Sequence, residues 1–479
     1  MIKNLDDVLQ IGKPWPPESE LARLKRYEQN EALFDGDHSK VFMVLLNLFS
    51  SHTAEYNKLI VILNWHKRLS TLWADFLYGE QPRAAANEDP ESKEAKYCKE
   101  FIDRTQYWSL QHTRQIDVSR FGHGIIEAYY KGGCQLQAVH PSKYFPIGDA
   151  SGRVVAHMIA WLDDPAFVDH VKQSKLFVRI HRPGEIESRE YVVSSTSKII
   201  SGPSDITTVE TGIDQPLVSV IQNLKTSSDK LQDDYGDLDT IIKRMESRLT
   251  RVGRILDVHS EPMMYADEDS GLFSKTETGA YIYDPKKRIF SLPKGGEKPG
   301  YVTWEGQLAA AFLELDTLMK QLYLLSETSE ACFEPAKLGA QVSGTALRLM
   351  LFVPLKKVDR LKMSADPVIR KELETFTGFE AAKGYSEAMP LENISISWQD
   401  GLPEDFQETV QNVSLLKSQG LIWDEMALKM LFKLEGKALQ DALEKLHNTS
   451  PPQQAQTQAQ SLASPGPRIQ LPPLQTVNE

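Results

Sequence analysis

Long apolar runs are missing from this chain. The longest, Val41 to Phe49, is far short of the roughly 20 residues that a bilayer-crossing helix needs, so no membrane-spanning segment and no membrane partner is expected. The opening Met1-Ile2-Lys3-Asn4 does not lead into a secretory apolar core, and the chain is expected to stay where it is made. Cysteine is scarce, with three in 479 residues, at positions 98, 134 and 332. That spacing excludes a disulfide framework and a Cys-x-x-Cys site, and fits free thiols in a reducing compartment. Positive charge is also in deficit: 54 Lys and Arg against 66 Asp and Glu give a formal charge of −12. Affinity for a phosphate backbone comes mainly from counterions released by Lys and Arg, so tight DNA binding is disfavoured while weak contact is not.

Signatures of catalysis are missing too. No G-x-x-x-x-G-K-[ST] loop occurs, and Gly295-Gly296-Glu297-Lys298-Pro299-Gly300 lacks both its spacing and a following helix. No His-Glu-x-x-His and no G-x-S-x-G elbow is present. Gly122-His123-Gly124 reads as a turn at a sheet edge, and the pairs Asp163-Asp164 and Asp233-Asp234 read as caps or solvated loops rather than metal ligands. No catalytic residue, cofactor or metal is assigned, and the chain is not read as an enzyme. What remains, 41% hydrophobic and 25% charged, is ordinary for a folded soluble protein.

The most organised stretch is a helix over Asp237 to His259. Leu238, Ile242, Met245, Leu249, Val252, Leu256 and His259 step by fours and threes, which keeps one stripe on one side. Asp233, Asp234, Asp237 and Asp239 crowd its start and Arg248, Arg251 and Arg254 its end, matching the helix dipole. A second seam, Leu308, Ala311, Leu315, Leu318, Leu322 and Leu325, lies in a helix from about Trp304 to Ser326. Two arrangements are open: an antiparallel hairpin inside one core, or narrow stripes that pack on other copies in an oligomer.

Around these helices the pattern predicts an α+β chain, predominantly α. Helices are expected over Glu18–Phe34, Asn57–Tyr78 and Ser92–Asp117. From Val118 the period becomes two, with a hairpin of Ile125–Tyr130 and Gln135–Val139 turning at Lys131-Gly132-Gly133, then strands near Val154–Trp161, Leu176–His181 and Tyr191–Val193. Between the long helices a small β tip is expected, Tyr281–Tyr283 turning at Asp284-Pro285-Lys286-Lys287 into Arg288–Leu292, with a further strand at Tyr301–Thr303. Ser343-Gly344-Thr345 opens a helix expected to kink at Pro354. Ile394, Ile396 and Trp398 read as a strand, and Glu404–Ser418, Trp423–Leu434 and Lys437–His447 as compact helices. From Asn448 the Pro, Gln, Ser and Ala composition reads as disordered.

In order and spacing these segments resemble the portal proteins of tailed double-stranded DNA bacteriophages over most of the chain before the tail. The resemblance rests on Leu24-Lys25-Arg26-Tyr27 with Asp35-Gly36-Asp37-His38, Leu77 to Pro82, His140-Pro141 with Phe145 to Asp149, and Arg248 to His259 followed by Glu261-Pro262. Ser343 to Arg348 and Leu402-Pro403-Glu404-Asp405 with Gly420-Leu421-Ile422 complete it. It implies a homo-oligomeric ring, usually a dodecamer, at a unique capsid vertex of the virion, assembled in the host bacterial cytoplasm. DNA would enter and leave through it, passing weakly and non-specifically. The partners implied are the terminase large subunit, head-completion or adaptor proteins, and the major capsid and scaffolding proteins.

By position, the resemblance implies a wing over 1–228, stem helices over 229–260 and 304–326, a clip over 261–303 and a tunnel loop over 327–342. It continues with a long kinked helix returning to the wing over 343–402, a crown over 403–447 and a disordered tail over 448–479. The two seams would pack between subunits, Glu330, Glu334 and Lys337 would face DNA in the channel, and Lys286, Lys287 and Arg288 would form a docking cluster at the clip. Two readings of other classes stay open: an intracellular coiled-coil scaffold using the same seams, and an enzyme whose site lies in the 118–193 sheet.

Overall fold

The computed structural model describes residues 2–43, 45, 60–87, 89–168, 171–226, 230–260, 264–265, 273–275, 281–283, 300–301, 308–334, 344–399, 406–432, 434 and 436–449. The chain divides into two units, 1–402 and 403–479.

Helices α1 (Leu5–Val8), α2 (Glu18–Asp35) and α3 (His38–Val41) open the first unit, and α2 ends at Gly36 with φ of 89°. Helix α4 (Trp65–Tyr78) begins later than the apolar pattern from Asn57 suggests, because the Asn64 side chain accepts from the Lys67 backbone N–H and caps it there. After the short strand β1 (Arg83–Ala85), the single helix expected over 92–117 is two, α5 (Lys93–Thr105) and α6 (Tyr107–Phe121). Gln106 adopts a left-handed conformation with φ of 50° and breaks them, and no glycine or proline there announced it.

Strands β2 (His123–Tyr130) and β3 (Cys134–Val139) form the expected hairpin, and β10 (Val218–Gln222) pairs on the other side of β2. A second, antiparallel sheet contains β4 (Tyr144–Gly148), β5 (Val154–Leu162), β7 (Val171–Arg182), β8 (Glu185–Ser194) and β9 (Ile199–Glu210) in that spatial order, with β6 (Ala166–Val168) on β7. Strand β9 carries no alternating signal. It is an edge strand whose side chains are nearly all exposed, so nothing forces an apolar face, and Pro203 is tolerated at an edge.

The long helices are α7 (Asp239–Ser260) and α8 (Leu308–Leu325). Between them β11 (Met264–Tyr265) pairs with β14 (Gly300–Tyr301), and β12 (Phe273–Lys275) with β13 (Tyr281–Tyr283). The expected partner of Tyr281–Tyr283, Arg288–Leu292, lies outside the described residues. Helix α9 (Gly344–Met350) and the 31-residue α10 (Phe352–Ala382) follow. Their break is at Leu351, and Pro354 sits in the first turn of α10, where its missing N–H leaves no helical bond unmade. The proline inside the helix is Pro367. Strand β15 (Ser395–Ser397) returns to pair with β1.

Four buried apolar clusters occur among the described residues of this unit, the smallest being Ile125, Val139, Tyr144, Ile159 and Val218. Leu361, Ala365, Ile369, Leu373 and Phe376 of α10 pack on Trp73, Tyr97, Phe101 and Tyr107. Ile2, Leu9 and Trp15 cover one face of the larger sheet. Leu33, Phe42, Leu69, Tyr235, Leu238, Ile242, Met245 and Leu322 join α2, α4, α7 and α8. The second unit has α11 (Phe406–Ser418), α12 (Asp424–Phe432) and α13 (Gly436–Thr449), with Val413, Ala427 and Leu439 buried. Blocks of helix and sheet kept apart in this way make the chain α+β.

Candidate functional site: the long helix pair and its root

Helices α7 and α8 carry the two sequence seams, and the structure divides each seam. Leu238, Ile242, Met245, Val252 and Leu322 are buried within the chain itself. Leu238, Ile242, Met245 and Leu322 pack with Leu33, Phe42, Leu69 and Tyr235 of the same chain, so these four side chains belong to its own core. Leu249, Leu308, Ala311, Leu315 and Leu318 are half-buried. Leu256 and Leu325 are 49% and 51% exposed. The pair is pinned by charge where Arg244 and Arg248 of α7 both reach Glu314 of α8, Arg244 at 2.8 Å.

The root of α7 is a polar joint that the sequence did not announce. Arg26 of α2 donates to Asp233 at 3.0 Å and to Asp239 at 2.7 Å, and His66 Nε2 of α4 lies 3.2 Å from Asp239. Burial acts to raise the Asp233 carboxyl, but the hydrogen bonds and charge of Arg26 outweigh it and hold the group below the usual carboxylate range. Burial pushes His66 below its ordinary value, with Asp239 pulling the other way. Two turns further along, Glu246 accepts from the Leu63 backbone N–H at 2.9 Å and meets His38. The acidic crowding at 233–239, read from sequence as a dipole effect, therefore supplies ion-pair partners. Arg26 and His38 belong to two motifs that are adjacent in sequence order, and the fold brings both to one helix.

A second joint ties the far end of α8 to α10. Glu327, with φ of 58°, receives Arg360 through both carboxylate oxygens at 2.5 and 2.6 Å. Lys357, one turn from Arg360, donates to Asp234 at 2.9 Å while its ammonium sits 4.4 Å from the Trp73 ring centre. Asp234 also accepts from Ser119 at 2.6 Å and Asn223 at 2.9 Å. Glu330 begins a short 3-10 turn and is exposed, as is Glu334. Lys337 and the cluster Lys286, Lys287 and Arg288 lie outside the described residues. Glu327 is thus paired with Arg360.

In the 118–193 sheet, the region an enzyme site would occupy, the ionisable groups answer one another. Glu127 is buried against Arg179 and His181, the latter at 2.9 Å, and accepts from Gln137 at 2.7 Å. His123 is not at a sheet edge as its Gly-His-Gly setting suggested. It opens the central strand β2, buried, with Nε2 2.9 Å from the Tyr27 hydroxyl. Gly124 is required by packing, since a Cβ there would stand 2.6 Å from the Arg114 carbonyl.

Compared with known proteins, residues 17–452 match the family described as "Phage portal protein, SPP1 Gp6-like". No curated protein matches. A solved structure titled "Neck of native GTA particle computed with C12 symmetry" is 11% identical, with 88% of this chain and 96% of that chain covered and a TM-score of 0.43.

Proposed function

The chain belongs to the SPP1 Gp6-like family of phage portal proteins, and from that membership we propose that it assembles into the ring through which DNA enters and leaves the capsid. A portal is a structural part of the phage particle, so its work is to hold a channel and offer docking surfaces rather than to catalyse. In this reading α7 and α8 are the stem, 1–228 the wing, 261–303 the clip and 403–447 the crown. Segment 327–342 is the tunnel loop, with Glu330, Glu334 and Lys337 towards DNA. Terminase and later the head-completion proteins dock on the clip, where Lys286, Lys287 and Arg288 supply a basic cluster, and capsid and scaffolding proteins surround the ring at its vertex.

The observation that carries this reading is the rigid mounting of the helix pair. Arg26, His38 and His66 fix α7, Arg360 fixes the end of α8, and Glu314 ties the two together. A channel wall that must pass a stiff polyelectrolyte needs such a root. The half-buried and exposed part of each seam, Leu249, Leu256, Leu318 and Leu325, is what remains for neighbouring subunits. Electron microscopy of the purified full chain tests the proposal: rings with a central hole are expected, and particles that stay monomeric or dimeric by light scattering over a wide range of concentration and salt would overturn it.

A further inference from the structure

We propose that an exposed basic ridge on α7, formed by Lys243 and Arg251 and flanked by Arg244 and Arg254, is a contact surface for the phosphate backbone of double-stranded DNA. The inference rests on the portal reading and assigns the contact to a different element from the loop. At 3.6 residues per turn the four side chains fall in a sector of roughly 100°. All four are exposed, whereas Leu238, Ile242 and Met245 on the other side are buried.

Among the described residues, three acids near this ridge have partners, and one of them, Glu314, offsets the flanking Arg244. Glu246 is buried against His38, Asp239 is held by Arg26 and His66, and Glu314 of α8 takes both Arg244 and Arg248. Asp257 stands one turn beyond Arg254. Lys243 and Arg251 thus leave α7 locally positive in a chain whose formal charge is −12. They lie eight residues apart, roughly 12 Å along the helix axis, a length over which duplex DNA carries about seven phosphate charges. Contact of this kind is independent of base sequence, and repetition around a ring would sum weak contacts without a tight grip at any one. The competing occupant of such a face is an acidic surface of a second copy.

The test uses assembled full-length rings, a labelled mixed-sequence duplex and a series of salt concentrations. Lys243→Gln with Arg251→Gln is compared with Lys93→Gln and Lys99→Gln on α5, which are also exposed and change the net charge equally. The ridge variant is expected to lose about tenfold in affinity at low salt, and to lower the log–log salt slope by about one unit for each cation that had been engaged. The α5 variant should match wild type. Equal loss in both variants, no loss in the ridge variant, or wild-type rings that bind no duplex even at low salt would overturn the proposal. So would a ridge variant that stays folded but leaves the ring, since that puts the face between copies. If the double variant does not fold, Arg251→Gln and Arg251→Lys are read the same way, with only Lys retaining binding. Images of wild-type rings decide the portal reading separately.

Discussion

His38 Nδ1 stands 2.6 Å from Glu246 Oε1, and neither side chain is exposed at all. The other ring nitrogen, Nε2, faces the Leu33 carbonyl at 2.9 Å and must donate to it. A neutral imidazole carries one N–H, so the proton between Nδ1 and the carboxylate is an additional one held by the pair. This contact locks the start of α3 onto the middle of α7.

Removing the acid should be costly. Glu246→Ala leaves His38 and the Leu63 N–H without their acceptor in a dry site, and a loss of about 3 kcal/mol or more is expected in urea unfolding. Glu246→Gln, which keeps an acceptor oxygen, should lose less. A change below about 1 kcal/mol for Glu246→Ala would show that the joint does not hold α7.

Mild acid should weaken the fold through histidines. Burial, aided by Arg23, pushes His123 down to about 3, and burial, aided by His181, pushes His157 down to about 4. In the unfolded chain both titrate near 6.5. The unfolded state therefore takes up protons first as pH falls. The stability gained by keeping each histidine neutral is complete above about pH 6.5 and declines below it, by about 2 kcal/mol per histidine at pH 5. His157→Gln, which leaves Tyr144 a hydrogen-bond partner, should flatten the difference in urea midpoint between pH 7 and pH 5 by that share. An unaltered difference would exclude His157 as a source.

Gly253 lies inside α7, and a Cβ there would meet nothing within 4 Å. Gly253→Ala should stabilise the unassembled chain by about 1 kcal/mol through helix propensity alone. If a neighbouring subunit approaches this backbone closely, the same variant should assemble into fewer rings. Destabilisation of the unassembled chain, read by thermal melting, would contradict the open position.

At the clip, reversing Lys286, Lys287 and Arg288 to Glu should leave ring formation intact and weaken terminase or adaptor capture in a pull-down. Undiminished capture would remove the cluster from the docking surface.

Elements with a strong period were legible from sequence: α2, the β2–β3 hairpin, and both long helices to within a few residues. Features set by a single local event were not. The break at Gln106 has no glycine or proline to mark it, the late start of α4 depends on one capping bond from Asn64, and β9 has no buried face to impose a pattern. The joint at the base of α7 was hidden for a different reason. Arg26, His38 and His66 are far from Asp233, Asp239 and Glu246 in sequence, and each alone looks like an ordinary surface charge or core histidine. Apolar spacing located the seam, but whether a stripe meets its own chain or another copy depends on what the fold brings over it, as Leu238 and Leu325 illustrate.

Lys357 and Arg360 occupy adjacent turns of α10, and between them they hold Asp234, just before α7, and Glu327, just after α8. Both legs of the pair are therefore clamped to the same few ångströms of one rod. Sliding one leg past the other at this end would have to break one of these pairs. The long helix carries both anchors on the stretch where its own Leu361 packs in one core with Trp73.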